Sequence, residues 1–399
     1  MTRRYLSQRA VLVLAIASAI VTANAYYVHP IIGLLAEDFG VDEALVGAVP
    51  AFNQIALALG IFLLLPLGDR ISNRRLAMVC LSAQVVALAI MVLADNFWLF
   101  VAGSTLLGFF TVTPYLLPAY TSKRVEPTRL GHATAMLTTG VIAGILLSRT
   151  GSGVVAEFLG WRSVYWIALA LMAGSALVLP LLLEEREPSQ KPAELPSYPR
   201  LIGSLWSLAR AYPQVVISGG IQALSFSIFL TLWLGVGLHL TSDEMGYGTD
   251  MVGYLSALSA LNLLTTPRLG KLADRLGARR TRALMAAGQM VGVTSLFVAG
   301  SSYWWLIFPT AINSIVGPMI DITGRMTCLD QPGEIRTRLM ALYITIMFLG
   351  GGLGSWTGTI AYDFAGWNGI CIAALGLSAL VLALSVWQAR TGGTHNGAG

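Results

Sequence analysis

The sequence predicts an all-α polytopic membrane protein with twelve transmembrane helices in two pseudo-symmetric six-helix bundles. Three observations predict it. Of 399 residues, 55% are hydrophobic and only 11% charged, with mean hydropathy +0.70, where a soluble domain carries about 25% charged residues. Twelve segments are apolar over the roughly 20 residues that a spanning helix needs. The second half of the chain also repeats the first at a near-constant offset.

The first span, 10–33, follows Arg3, Arg4 and Arg9 and contains Ala23-Asn24-Ala25, which has the form of a signal-peptidase site. It is read as a retained span. The apolar run continues through Ile31-Ile32-Gly33-Leu34-Leu35, past the about 7–15 residues of a signal core. Its repeat partner near 217–240 is also full length. Spans 2 to 6 follow at 44–67, 76–94, 97–121, 132–156 and 161–183. The stretch EEREPSQKPAELPSYPR (184–200) is polar and Pro-rich, which reads as a linker. Spans 7 to 12 occupy 213–240, 250–269, 283–300, 303–326, 338–361 and 366–389. The expected domains are thus an N-terminal bundle (1–183), a cytoplasmic linker (184–212) and a C-terminal bundle (213–399).

With the N-terminus inside, 23 of the 25 Lys and Arg fall on inside segments, and only Arg149 and Arg162 do not. This is the positive-inside pattern. It predicts a cell (inner) membrane protein with both termini cytoplasmic, and it accounts for the net charge of +5 without a nucleic-acid partner. Cys80, Cys328 and Cys371 are far apart and indicate neither disulfides nor zinc. No P-loop and no H-E-x-x-H occurs. No cofactor, metal or enzymatic activity is expected, and the chain is expected to be monomeric.

Leu-Gly-Asp-Arg-Ile-Ser-Asn-Arg-Arg (67–75) matches Leu-Ala-Asp-Arg-Leu-Gly-Ala-Arg-Arg (272–280) at an offset of 205. Gly160-Trp161 matches Gly366-Trp367, and Glu157-Phe158 matches Asp363-Phe364, both at 206. Two six-helix halves, each with a basic loop between its second and third spans, resemble the major facilitator superfamily over nearly the whole chain. The signature of that loop is G-x-x-x-D-R-x-G-x-[RK]-R. The second copy carries Gly270, Asp274, Arg275, Gly277 and Arg279. The first has Leu65 and Ser72 in place of the glycines but keeps Asp69, Arg70, Arg74 and Arg75. The glycines of span 5, its Leu-Ser-Arg, and Pro114 and Pro118 in span 4 look like the drug:proton antiporter and arabinose-efflux-type branch. One departure is that residues 101–108 lack the Arg usual early in span 4 of drug antiporters. The resemblance implies secondary transport by alternating access, with the site near the midplane between repeats. It also implies a cytoplasmic latch, with Asp69 facing the N-terminus of span 11 and Asp274 that of span 5, where helix dipoles favour negative charge.

Arg149, inside span 5, has Ser355 as its repeat partner, so symmetry does not require it. Intramembrane charges usually line cavities. Arg149 is expected to attract an anionic or polar substrate group or to stabilise a proton-exchanging carboxylate, unless carbonyls or Glu37 satisfy it. Asp321 and Arg325 share a helix face and read equally as a gate ion pair or as a proton site. His29 reads as a proton relay or as an interfacial hydrogen-bonding residue. The amides Asn24, Asn53, Gln54, Gln222, Asn262 and Asn313 either join helices or line a cavity, with Tyr27, Tyr115, Phe226 and Trp233 as a possible aromatic wall. The glycines of spans 5 and 11 are expected at sliding interfaces between the halves, and arginines outside the spans are expected to set topology.

The expected function is proton-coupled efflux of a small organic molecule. Import on the same fold is the alternative. A non-transporting sensor is disfavoured by the near-absence of loops, and an intramembrane enzyme by a single acid, Asp321, inside the spans.

Overall fold

The computed structural model of the chain describes residues 5–183 and 198–391, apart from the side chains at positions 69, 127, 201, 267, 333 and 334. Spans 3, 5, 6, 7, 9 and 10 are single helices, Asn73–Val92, Leu130–Leu159, Trp161–Leu182, Pro213–Leu240, Ala278–Ala299 and Tyr303–Leu329. Span 2 comprises Glu43–Val46 and Ala48–Leu64 and tightens into a 3-10 turn, Leu65–Asp69. Spans 11 and 12 lie in one helical run, Gly333–Thr391, broken at Ala365 and Gly366. Nine stretches of the described residues are long and apolar enough to cross a membrane, one of them holding both spans 11 and 12. Spans 1 and 8 are interrupted, and with them the architecture fits twelve.

Span 1 corrects the expected continuous helix. It runs Gln8–Ala23 and resumes at Ile32–Phe39. Between them the chain winds through turns such as Tyr26 N to Ala23 O (3.0 Å) and Ile31 N to Val28 O (3.2 Å). Pro30 has no N–H to offer the carbonyl of Tyr26, which weakens the helix there and favours the break. Span 4 breaks for the same reason. It runs Phe97–Phe110 and Thr113–Ser122, and Pro114 cannot give the Phe110 carbonyl its α-helical bond, so that this carbonyl accepts from Val112 N (2.8 Å) instead. Gln84 Nε2 from span 3 also donates to that carbonyl at 2.8 Å. Span 8 runs Thr249–Ser256, a 3-10 turn Ala257–Ala260, and Leu261–Leu276. Such breaks are tolerated at membrane depth only where protein covers them.

The repeat has a backbone reason. Gly160 and Gly366 both adopt positive φ, 79° and 56°, where glycine carries no steric cost, and each turns the chain into a helix that begins at Trp. Gly277 does the same in the second basic loop (φ 84°). The first loop reaches its helix differently: the hydroxyl of Ser72 accepts from Arg75 N at 3.3 Å as an N-cap. The degenerate first motif is therefore a change of turn chemistry.

One apolar core is built almost wholly from residues 14–183 and a second from 221–381. Large apolar side chains such as Leu181 and Phe364 stay exposed, as lipid-facing residues do. The glycines largely serve each bundle internally, which corrects the expectation of sliding interfaces. A Cβ on Gly140 or Gly144 would meet the backbone of Ala15 or Ala19 in span 1, and one on Gly350 or Gly354 would meet Ala223 or Ser227 in span 7. Of these span 5 and span 11 glycines, Gly153, against Gly253, and Gly352, against Ala51, bring the halves together.

Residues 184–197 of the expected linker lie outside the described residues. Its remainder forms an amphipathic helix, Tyr198–Ala211. This helix touches both halves: Tyr198 Oη donates to Leu63 O (2.7 Å), and Ser204 Oγ accepts from Arg338 Nη1 (3.2 Å).

Candidate functional site

The end of the molecule carrying the basic loops is here called the basic end and the opposite one the far end. At the far end the bundles meet closely. Span 5 faces span 8 through a line of polar contacts. Glu157 Oε2 accepts from Thr249 N (2.8 Å) and Thr249 Oγ1 (3.2 Å), capping the first turn of span 8. Thr249 Oγ1 also donates to Gly153 O at 2.9 Å. One turn deeper, Thr150 Oγ1 and Ser256 Oγ lie 2.9 Å apart. Span 1 meets span 7 where a Cβ on Gly33 would touch Thr241, and span 2 meets span 11 where Thr359 Oγ1 donates to Ala44 O (3.3 Å). Towards the basic end spans 2 and 4 still touch span 11, with Tyr115 against Phe348 at 5.9 Å, while residues 130–135 of span 5 are mostly exposed. Hydrogen bonds to a charged acceptor contribute about 1.5–3 kcal/mol each. Glu157→Ala should therefore loosen the far end, seen as severalfold faster maleimide labelling of Thr241→Cys in detergent. An unchanged labelling rate would count against the clasp.

Arg149 sits at the deep end of this line, 1% exposed. Its Nε donates weakly to Ile145 O (3.4 Å), and Nη2 donates across the halves to Ser259 Oγ (3.2 Å). The guanidinium lies over the rings of Trp233 (4.3 Å) and Phe229 (4.9 Å) from span 7. Buried Nη1 has no partner. Neither Glu37 nor any other described carboxylate pairs with it: the described ion pairs are Arg162–Asp38 and Arg325–Asp321.

His29 lies in the irregular part of span 1, fully buried, with both ring nitrogens unpartnered. Its ring packs edge-on against Tyr26 (5.5 Å). Asp321 accepts from Arg325 Nε (3.0 and 2.9 Å) and from Tyr343 Oη (3.1 Å). It forms the expected ion pair, apart from Arg149.

The amides divide. Asn24 Nδ2 donates to Gln84 Oε1 (3.3 Å), inside the first bundle. Asn53 Nδ2 donates to Ser104 O (2.8 Å), between spans 2 and 4. Asn313 Nδ2 donates to Pro309 O (2.9 Å) and would touch a Cβ on Gly292 of span 9. Asn262 accepts from Thr266 on its own helix. Tyr27 packs on Tyr165 of span 6 at 6.2 Å. Asn24, Asn53, Asn313 and Tyr27 thus contact residues of their own bundles, in line with the helix-joining reading of the amides and the packing reading of the aromatic. Each carries polar atoms that a neighbouring span in its own bundle satisfies or covers. Gln222 reaches Met347 Sδ of span 11 (3.7 Å). Gln54 is buried with both polar atoms unpartnered, one turn from the Ala51 and Ala58 positions of span 2.

Of the expected latch, the side chain of Asp69 lies outside the described residues. Asp274, Arg275, Arg279 and Arg70 are exposed, and Arg74 is half-buried. Among the described residues Asp274 makes no hydrogen bond or ion pair. Arg282 corrects its assignment to topology. It is buried in span 9, and its guanidinium donates to Ser218 Oγ (2.9 Å), Gln388 Oε1 (2.7 Å), Thr323 O (2.6 Å) and Thr327 Oγ1 (3.1 Å).

Sequence reasoning missed Tyr26, Phe229 and Ser259. Tyr26 was hidden because helical spacing fails where span 1 unwinds; Pro30, four residues on, was the signal that could have found it.

The sequence profile of the Major Facilitator Superfamily matches residues 14–331. The chain is 26% identical over 382 residues to the "Putative uncharacterized transporter YgaY" of Escherichia coli (strain K12), covering 96% of this chain and 95% of that protein. It is 26% identical over 219 residues to the "Multidrug resistance protein MdtG" of Citrobacter koseri, covering 54% of this chain and 52% of that protein. Its fold is similar to a crystal structure of a mutant of the nucleoside transporter NupG, with TM-score 0.76, 13% identity and coverage of 95% of this chain and 98% of that one.

Proposed function

The chain belongs to the major facilitator superfamily, and from that premise we propose that it is a secondary active transporter that exports a small organic molecule in exchange for protons. It is a multi-pass membrane transporter of a small molecule by family. Direction, coupling ion, monomeric state and an inner-membrane setting with both termini cytoplasmic belong to the proposal. The observation that carries it is Arg149: a buried cation shared between the two bundles, beneath a closed far end and beside two broken helices. Discontinuous helices at the repeat interface are where such transporters bind substrate. The efflux direction is supported by the partial similarity to a multidrug resistance protein and by the span 5 motif. Import on the same fold is the second reading.

Arginine is a poor proton carrier, because its delocalised guanidinium holds its proton tightly. His29 and Asp321 are the carriers at hand. The test is flux in proteoliposomes carrying an internal pH dye, across a compound panel. Proton movement should appear only with a transported compound and an imposed gradient. Asp321→Asn should keep substrate binding and lose its pH dependence if Asp321 is the carrier; if His29 is, the same loss should appear in His29→Gln. An intact pH dependence in both variants would remove both from the proton path. Absence of compound-dependent flux across the whole panel would contradict coupled transport.

A further inference from the structure

We propose that the centre between the bundles binds an organic monoanion with an apolar body, its charged group on Arg149 and its body against the aromatic face of span 7. This deepens, and rests on, the transporter reading. Three observations carry it.

First, the cation lacks a counter-charge. Arginine has five N–H donors. Here one is given weakly to the Ile145 carbonyl and one to Ser259 Oγ, and Nη1 is buried with no partner. A buried unpaired charge is costly. Arg282 shows what a buried arginine with a structural role looks like in this protein. Its two Nη atoms have four acceptors on spans 7, 10 and 12 and only its inner Nε is left over, whereas at Arg149 a terminal Nη1, the atom a ligand's oxygen would meet, is the one without a partner. Second, buried polar groups on spans 1 and 2 are also unpaired. Both nitrogens of His29 and both polar atoms of Gln54 lack partners. Third, the wall is aromatic. Phe226 and Phe229 stack at 5.7 Å, and Phe229 and Trp233 lie against the guanidinium.

Charge sets the class. An organic cation would be repelled at short range in a low dielectric. A neutral compound would leave Arg149 uncompensated. One guanidinium balances one negative charge, and its planar fork suits a carboxylate held by two parallel N–H···O bonds. An aromatic or similarly apolar monocarboxylate satisfies both the fork and the rings.

The test compares three probes of one shape: benzoate, benzamide and benzylamine. Each is titrated into the detergent-purified full chain by calorimetry, with quenching of tryptophan fluorescence as the second readout. Benzoate should bind at least about tenfold more tightly than benzamide, with benzylamine weakest. Arg149→Gln should erase the advantage of benzoate at unchanged thermal stability, and Arg149→Lys should restore part of it. Equal binding of the three, preference for benzylamine, binding of none, or an undiminished benzoate preference in Arg149→Gln would each overturn the site. Should Arg149→Gln not fold, the ranking on the wild-type protein decides alone. The titration needs no gradient, so the two readings fail separately. A protein that binds benzoate through Arg149 but moves no compound keeps this site and loses transport. One that pumps neutral or cationic compounds without anion preference does the reverse.

Discussion

Arg149→Ala should lose transport by roughly 30-fold or more while the protein still inserts, purifies as a single species and unfolds at the wild-type temperature. Removing one partner of a desolvated charged interaction costs about 2–5 kcal/mol, and each 1.4 kcal/mol is about tenfold. Only a 3.4 Å bond to Ile145 O, a 3.2 Å bond to Ser259 and two ring contacts hold the guanidinium, so stability should be little affected. Arg149→Lys should recover only part of the activity, because lysine keeps the charge but lacks the planar fork. Proteoliposome flux beside thermal unfolding separates the two effects. Wild-type flux in Arg149→Ala would make this arginine a structural residue and move the site towards Gln54 and Gln222.

Arg282→Ala should show the opposite pattern. It removes the four bonds that Ser218, Thr323 O, Thr327 and Gln388 receive from one guanidinium, leaving Ser218 and Thr327 only their bond to each other, and it leaves a void joining spans 7, 9, 10 and 12. Single polar contacts between membrane helices average only about 0.6 kcal/mol. A buried acceptor left without its donor costs about 1–3 kcal/mol, and the lost packing of a buried arginine adds to this. The expected result is a marked fall in Tm and in the yield of folded protein. Arg282→Lys should be intermediate, since one ammonium cannot reach acceptors placed for a fork. An unchanged Tm in Arg282→Ala would contradict this role.

Much of the fold was legible because membrane spans are long and apolar and because the repeat is punctuated. Gly160-Trp161 and Gly366-Trp367 were found by spacing alone, and the structure gives the reason in their positive φ. The breaks were less legible. Pro30 and Pro114 announce that a helix is weakened, but which side chain reaches the carbonyl that loses its α-helical bond depends on another span, as with Gln84 and Phe110. At the site, Arg149 stood out because a charge inside a span is rare. Its neighbours did not. Ser259 and Phe229 are ordinary membrane residues whose role comes only from the pairing of span 8 and span 7 with span 5. Asn24, Asn53 and Asn313 show the converse. Polar residues at mid-depth look alike in sequence whether they face a neighbouring helix or the middle of the molecule. Arg282 lies near a basic loop, and its burial one turn into span 9 decided its role where composition suggested topology.

Alternating access about Arg149 is tested most directly by spin-label distances measured across both ends of the same molecule. Asp42 and Asp363 are exposed at the far end, one in each half, and Arg129 and Lys271 are exposed at the basic end. Double electron–electron resonance on Asp42→Cys/Asp363→Cys and on Arg129→Cys/Lys271→Cys should give two populations for each pair. Lowering the pH or adding a transported compound should lengthen one distance as it shortens the other. A single, unmoved distance distribution at both ends under all conditions would contradict it.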